Sequence, residues 1–115
     1  MIFMGMFGSL NAAPAPEAAE AASKRLIMAV EENDFEAFIK DGEPAFQQLD
    51  KKKFETVSKL LDKRMNGGYD VEYLGDLIQQ GYQVTLWRLR FKDGSDDALA
   101  TLSMKEGKVG GYWIK

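Results

Sequence analysis

The sequence contains no cysteine and no histidine, has three prolines, and carries more acid than base. Without cysteine there are no disulfides, thiolate nucleophiles or cysteine metal clusters, and without histidine the commonest general base and zinc ligand are missing. Counting alone removes most familiar catalytic constellations and leaves chemistry by Asp, Glu, Tyr, Lys or Arg, or no chemistry. The balance of 15 Lys+Arg against 18 Asp+Glu, a net charge of −3, gives no electrostatic reason to seek a phosphate backbone, so no nucleic-acid partner is expected. A membrane-spanning helix needs about 20 apolar residues. The longest apolar stretch, Met1 to Leu10, is too short, so no span is expected. Phosphate-binding glycine loops are absent as well. The run Asp93-Gly94-Ser95-Asp96-Asp97 lacks the spaced ligands and distal Glu of a calcium loop, so neither cofactor nor dedicated metal is indicated.

What is present is the composition of one globular domain: 115 residues, 45% apolar and 29% charged. Met1 to Leu10 is free of charge and is followed by Asn11, Ala12, Ala13 and a Pro/Ala-rich run from Pro14 to Ala22. An apolar stretch leading into small residues resembles the latter half of a secretory signal, although the basic start is missing because the first cation is Lys24. The expectation is an apolar arm or signal remnant with its linker over 1–16, an α+β domain over 17–115, and a secreted or periplasmic location. The alternative is a cytoplasmic protein whose arm packs on the domain or on a partner chain.

Ala18, Ala22, Leu26, Ala29 and Val30 recur at helical spacing and predict a first helix over roughly 16–32. Asn33 and Asp34 offer capping oxygens for a two-turn helix carrying Phe35, Phe38 and Ile39, which Asp41-Gly42 stops. Pro44 opens another brief turn with Ala45, Phe46 and Leu49. Asp50 caps a longer helix with Phe54, Val57, Leu61 and Met65 on its apolar face and Lys51, Lys52, Lys53, Lys59 and Lys63 outside, closed by Gly67-Gly68.

Beyond Gly68 the period changes to two. Tyr69, Val71 and Tyr73 begin a strand running to about Leu77, with Gly75-Asp76 suited to the turn after it. Gln83, Thr85, Trp87, Leu89 and Phe91 alternate with Tyr82, Val84, Leu86, Arg88 and Arg90 in a long second strand ending at Lys92-Asp93-Gly94-Ser95. Ala98 to Met104 and Val109 to Ile114, separated by Glu106-Gly107, complete the set. Helices first and tightly connected strands last make the class α+β with a four-stranded antiparallel sheet.

In this order the chain resembles the cystatin-like α+β group, and within it the nuclear-transport-factor-like proteins that include ketosteroid isomerases and polyketide cyclases. The resemblance covers Ala15 to Lys115. It rests on helices preceding a curved sheet, and on a strand with Leu102 and Met104 that turns at Lys105-Glu106-Gly107-Lys108 into a last strand bearing Tyr112-Trp113-Ile114-Lys115. Gly110-Gly111 interrupt the family's usual close, and no counterpart of the larger members' hairpin stands between Phe38 and Pro44. The resemblance implies a cone-shaped pocket between helices and sheet, and dimerisation through the outer sheet face.

Two functional readings follow. In the enzymatic one, an isomerase, cyclase or dehydratase uses Asp76 as base with a tyrosine, Tyr73 foremost and Tyr69 or Tyr82 otherwise, stabilising an oxyanion. In the other, favoured because turn chemistry accounts for Asp76, the chain is a non-catalytic binding or interaction domain, dimeric through its sheet. Arg88 and Arg90 could fork a ligand's carboxylate or phosphate, with Trp87, Tyr112 and Trp113 as aromatic lining of a small-molecule or protein site. Cross-strand pairing of those arginines with Asp70, Glu72 or Asp97 is the plainer expectation. For Trp87, Tyr112 and Trp113 the plainer expectation is burial between sheet and helices.

Overall fold

A computed structural model describes residues 14–115. The proposed signal remnant therefore falls almost wholly outside the described residues. Four helices, α1 (Glu17–Glu32), α2 (Phe35–Ile39), α3 (Pro44–Gln47) and α4 (Lys51–Met65), precede four strands, β1 (Tyr69–Gln79), β2 (Tyr82–Phe91), β3 (Ala98–Lys105) and β4 (Lys108–Ile114). The strands form an open antiparallel sheet in the order β1-β2-β3-β4. No helix among the described residues is long and apolar enough to cross a membrane.

Local chemistry accounts for the helix boundaries. Asn33 ends α1 in the left-handed conformation, its N–H reaching the carbonyls of Ala29 and Val30. Asp34 then caps α2 by accepting from the Ala37 N–H at 3.1 Å, and Asp50 caps α4 by accepting from Lys52 at 2.8 Å. Pro44 occupies the first turn of α3, where its missing N–H leaves no helical bond unmade.

One face of the sheet is covered. Thr85, Trp87, Leu89 and Phe91 of β2, with Ala98, Ala100 and Leu102 of β3, pack with Ala22, Leu26 and Val30 of α1 and Phe54, Leu61 and Met65 of α4. Leu26, Leu89 and Leu102 have no solvent exposure. Burying each such side chain contributes about 1.5–3 kcal/mol. The α4 face differs from the expected one by a residue: Val57 is exposed, and Ser58 is buried in its place, donating to the Val30 carbonyl and tying α4 to α1. Helical spacing cannot separate these neighbours, because both lie near the edge of the stripe. Ala15, expected to be linker only, packs against the core.

The turns refine the strand pattern. Gln80 and Gly81 both have positive φ, at 53° and 83°, and so make the β1-β2 hairpin turn. Asp76 is consequently not in a turn but inside β1, opposite Thr85. Gly75, with φ of 148°, instead sits where the β1-β2 register shifts, at a bulge that bends the strand. The edge of β4 is partly closed by the segment before α3: Val109 donates to the Asp41 carbonyl at 3.0 Å and accepts from the Glu43 N–H at 2.8 Å. That contact carries Glu43 around the edge toward the helix-free face.

Candidate functional site

The residues expected to gather around a ligand are divided between the two faces of the sheet. Arg88 lies on the helix-free face, where Glu72 of β1 accepts from its Nε at 3.0 Å and from its Nη2. The hydrogen bond to Glu72 is the main reason the guanidinium is held still more firmly in its charged form. Arg90 is exposed opposite Asp70. Both arginines thus answer the cross-strand expectation in position, and one does so by a direct ion pair.

Trp87 and Tyr112 lie on the other, helix-covered face, so they cannot form one site with the arginines. Trp87 is 5% exposed, and its indole N–H donates to the Thr85 hydroxyl at 2.8 Å. Tyr112 packs edge-on against Phe38 with ring centroids 6.1 Å apart. Its phenol oxygen is buried without a hydrogen-bond partner among the described residues, and burial pushes its pKa up. Tyr69 donates to the Glu31 carboxylate at 2.9 Å and has its pKa pushed up to about 12, by burial first and by that bond second.

The enzymatic candidates do come near each other, without an enclosure. Asp76 is exposed and accepts from the Gln83 amide at 3.1 Å, while the Tyr73 ring lies 5.1 Å from that of Trp87. Burial, and less strongly the Asp76 charge, raise the Tyr73 pKa. A pocket base needs surroundings that exclude water. Asp76 lacks them. Between α1 and the first two strands there is a cleft of about 260 Å³, bordered by Ser23, Ile27, Tyr69 and Trp87, and Asp76 is not among its lining residues.

A different feature stands out on the helix-free face. Trp113, expected between sheet and helices, is 54% exposed and points the other way. The register explains the reversal: Trp113 opposes Thr101, which lies on the outer face, whereas Tyr112 opposes the fully buried Leu102. Gly110 sits at the register shift between Ser103 and Met104, and this extra residue sets which of the closing aromatics faces inward.

Trp113 and Tyr82 border an open groove of about 640 Å³ on this face, with Val84, Thr101 and Ser103 also lining it. Two glycines permit the walls. A side chain at Gly111 would lie 2.2 Å from the Trp113 ring, and one at Gly110 would lie 2.5 Å from the Tyr82 ring. Both rings therefore rest directly on backbone. The Tyr82 phenol donates to Glu43 at 2.7 Å, and chiefly through this bond its pKa is raised. The sequence suggests Tyr82 as an oxyanion partner, and Trp113 as cavity lining or, more plainly, as core between sheet and helices. The paired glycines beside them were the available signal for an aromatic lying on open backbone.

No family model and no curated protein matches the sequence. In structure the chain is similar to an uncharacterized cystatin-fold protein from Novosphingobium aromaticivorans, at 14% identity and a TM-score of 0.47, over 88% of this chain and 99% of the other. It is also similar to an NTF2-like protein of unknown function from Cytophaga hutchinsonii, at 8% identity and a TM-score of 0.44, over 90% and 93% of the two chains. A SEC-C motif-containing protein from Rhodopseudomonas palustris matches at 15% identity and a TM-score of 0.46, over 85% and 80%.

Proposed function

We propose that this chain is a non-catalytic binding domain that works through the helix-free face of its sheet and pairs there with a second copy of itself. The observation that carries the reading is the exposed apolar set on that face: Leu77, Leu99 and Trp113 are 39%, 41% and 54% exposed, with no helix above them. Contiguous apolar surface left in water tends to mark an interface, and two-fold pairing is the commonest way to cover one. Charge placement supports a second copy as the partner. Asp70 and Glu72 form an acidic row on β1 beside the basic row of Arg88 and Arg90 on β2. A two-fold axis through this end of the face sets each row over the opposite row of the other copy. Export belongs to the same reading and is supported by the apolar run before Ala12 and Ala13.

Light scattering at micromolar concentration tests the pairing. The expected mass is twice that of the 12.9 kDa chain, and Leu99→Asp should return it to a single chain. A wild-type mass equal to one chain at every dilution and salt concentration would remove the dimer.

A further inference from the structure

We infer that the groove between Tyr82 and Trp113 is a binding site for a neutral saccharide. The inference rests on the helix-free face being the binding surface; it does not require the dimer, and because a sugar and a second copy would both use Trp113, saturating sugar should shift any dimer toward single chains. The chemistry of the groove is unusual for this chain. Although 29% of the sequence is charged, the lining contains no charged residue: Gln79, Gln80, Tyr82, Val84, Thr101, Ser103, Gly110 and Trp113. A phosphate or carboxylate would find no cation among the lining residues, and the acid that borders them, Glu43 beside Gly110, already accepts from the Tyr82 phenol. The nearby charges are engaged at Tyr82, where Glu43 accepts from the phenol and the Lys105 ammonium stands 5.5 Å from the ring centroid.

The groups that remain match a polyhydroxylated ligand. The Trp113 ring rests on Gly111, and at 54% exposure it presents indole surface to solvent. An aromatic face carries negative potential, which attracts the weakly positive C–H groups on the apolar face of a pyranose. Thr101 and Ser103 stand on the same side of β3, and among the described residues neither hydroxyl has a side-chain hydrogen-bond partner. Each can donate and accept, as can the Gln79 and Gln80 amides, so the groove can meet sugar hydroxyls in either sense. An apolar peptide would bury these polar groups uncompensated, which is unfavourable. A sugar satisfies them.

The test uses the full-length chain, with cellohexaose, maltohexaose, xylohexaose and chitohexaose as probes and calorimetry and tryptophan fluorescence as readouts. At least one probe should bind saturably with a dissociation constant of about 1 mM or tighter. Trp113→Ala should weaken that binding at least about tenfold, equivalent to 1.4 kcal/mol. Trp113→Phe should restore part of it, and Thr101→Val with Ser103→Ala should weaken it while leaving circular dichroism unchanged. Failure of all four probes at about 10 mM, or binding that survives Trp113→Ala, would overturn the inference. Decaproline binding in place of sugars would also overturn it and identify a peptide groove. Light scattering on the same samples separates the two claims: a dimer that ignores sugars defeats this one alone, and a sugar-binding monomer defeats only the pairing.

Discussion

The two tryptophans lie on opposite faces of one sheet and show what each face is for. Trp87 is 5% exposed, with its indole N–H on Thr85 and its ring beside Tyr73, so every part of it is used by the fold. Trp113 is 54% exposed and rests on glycine backbone, where the fold uses little of it. A side chain so large left in water on a face with other exposed apolar residues stands ready for something outside the chain. The helix-covered face is thus the source of stability, and the helix-free face the place to seek function.

The comparison breaks first, and most visibly, at the core. Trp87→Ala should destabilise the chain by about 3–5 kcal/mol in denaturant melts, since it removes a buried ring and the indole N–H that donates to Thr85, leaving that hydroxyl only its 3.4 Å bond to the Leu102 carbonyl. Trp113→Ala, measured on the monomer, should lose less than about 1 kcal/mol. Equal losses would mean that both rings belong to the core and that the outer face is not free.

The covered face should also govern the response to alkali. Burial raises the Tyr69 and Tyr112 pKa values above the ordinary value of 10.0, that of Tyr69 to about 12, so the folded state retains protons that the unfolded state releases. Stability from these two groups is complete below pH 10 and falls as pH rises above it, the Tyr69 share through about 12 and the Tyr112 share beyond that. Stability curves across that window, with Tyr69→Phe and Tyr112→Phe beside the wild type, should show a loss that the double variant reduces. A Tyr82→Phe variant should reduce the loss as well, because the hydrogen bond to Glu43 raises that phenol's pKa in the folded state.

A helix cap comes next in size. Asp50→Ala removes the acceptor for the Lys52 and Lys53 N–H groups and should cost about 1 kcal/mol, with Asp50→Asn close to wild type. The smallest effect belongs to the outer face. A double-mutant cycle on Arg88 and Glu72 should yield a coupling of about 0.2–1 kcal/mol, because the side chains are 36% and 57% exposed and salt screens them. If the coupling grows with protein concentration, the pair is being covered by a second copy.

The accuracy of a sequence reading varied with how local the physics was. Caps at Asp34 and Asp50, the proline at the start of α3 and the alternation along β2 depend on neighbours a few residues away, and the structure has them where the sequence pointed. The β1-β2 turn lies at Gln80-Gly81, which begins with a residue less typical of such turns, although Gly75-Asp76 has the more ordinary turn chemistry. With the turn at Gln80-Gly81, turn chemistry no longer accounts for Asp76; its exposure to water, in a strand with no enclosure around it, is what leaves the enzymatic candidate without a setting.

The candidate groove was nearly invisible beforehand. Its residues come from β1, β2, β3 and β4, and nothing local states that Tyr82 and Trp113 border the same concavity. Trp113 in particular could not be assigned by alternation, because one extra residue in a strand exchanges inside for outside.

By itself the sequence determined the α+β class, the order of elements, the caps and the alternating faces of β2, since these follow from side-chain period and backbone chemistry within a few residues. Tertiary structure decided which aromatic closes the core and which stays in water, that the arginines and the buried aromatics stand on opposite faces, and that two glycines make room for the groove walls. Those outcomes depend on strand register and on approaches between residues far apart in the chain, and a linear pattern encodes neither.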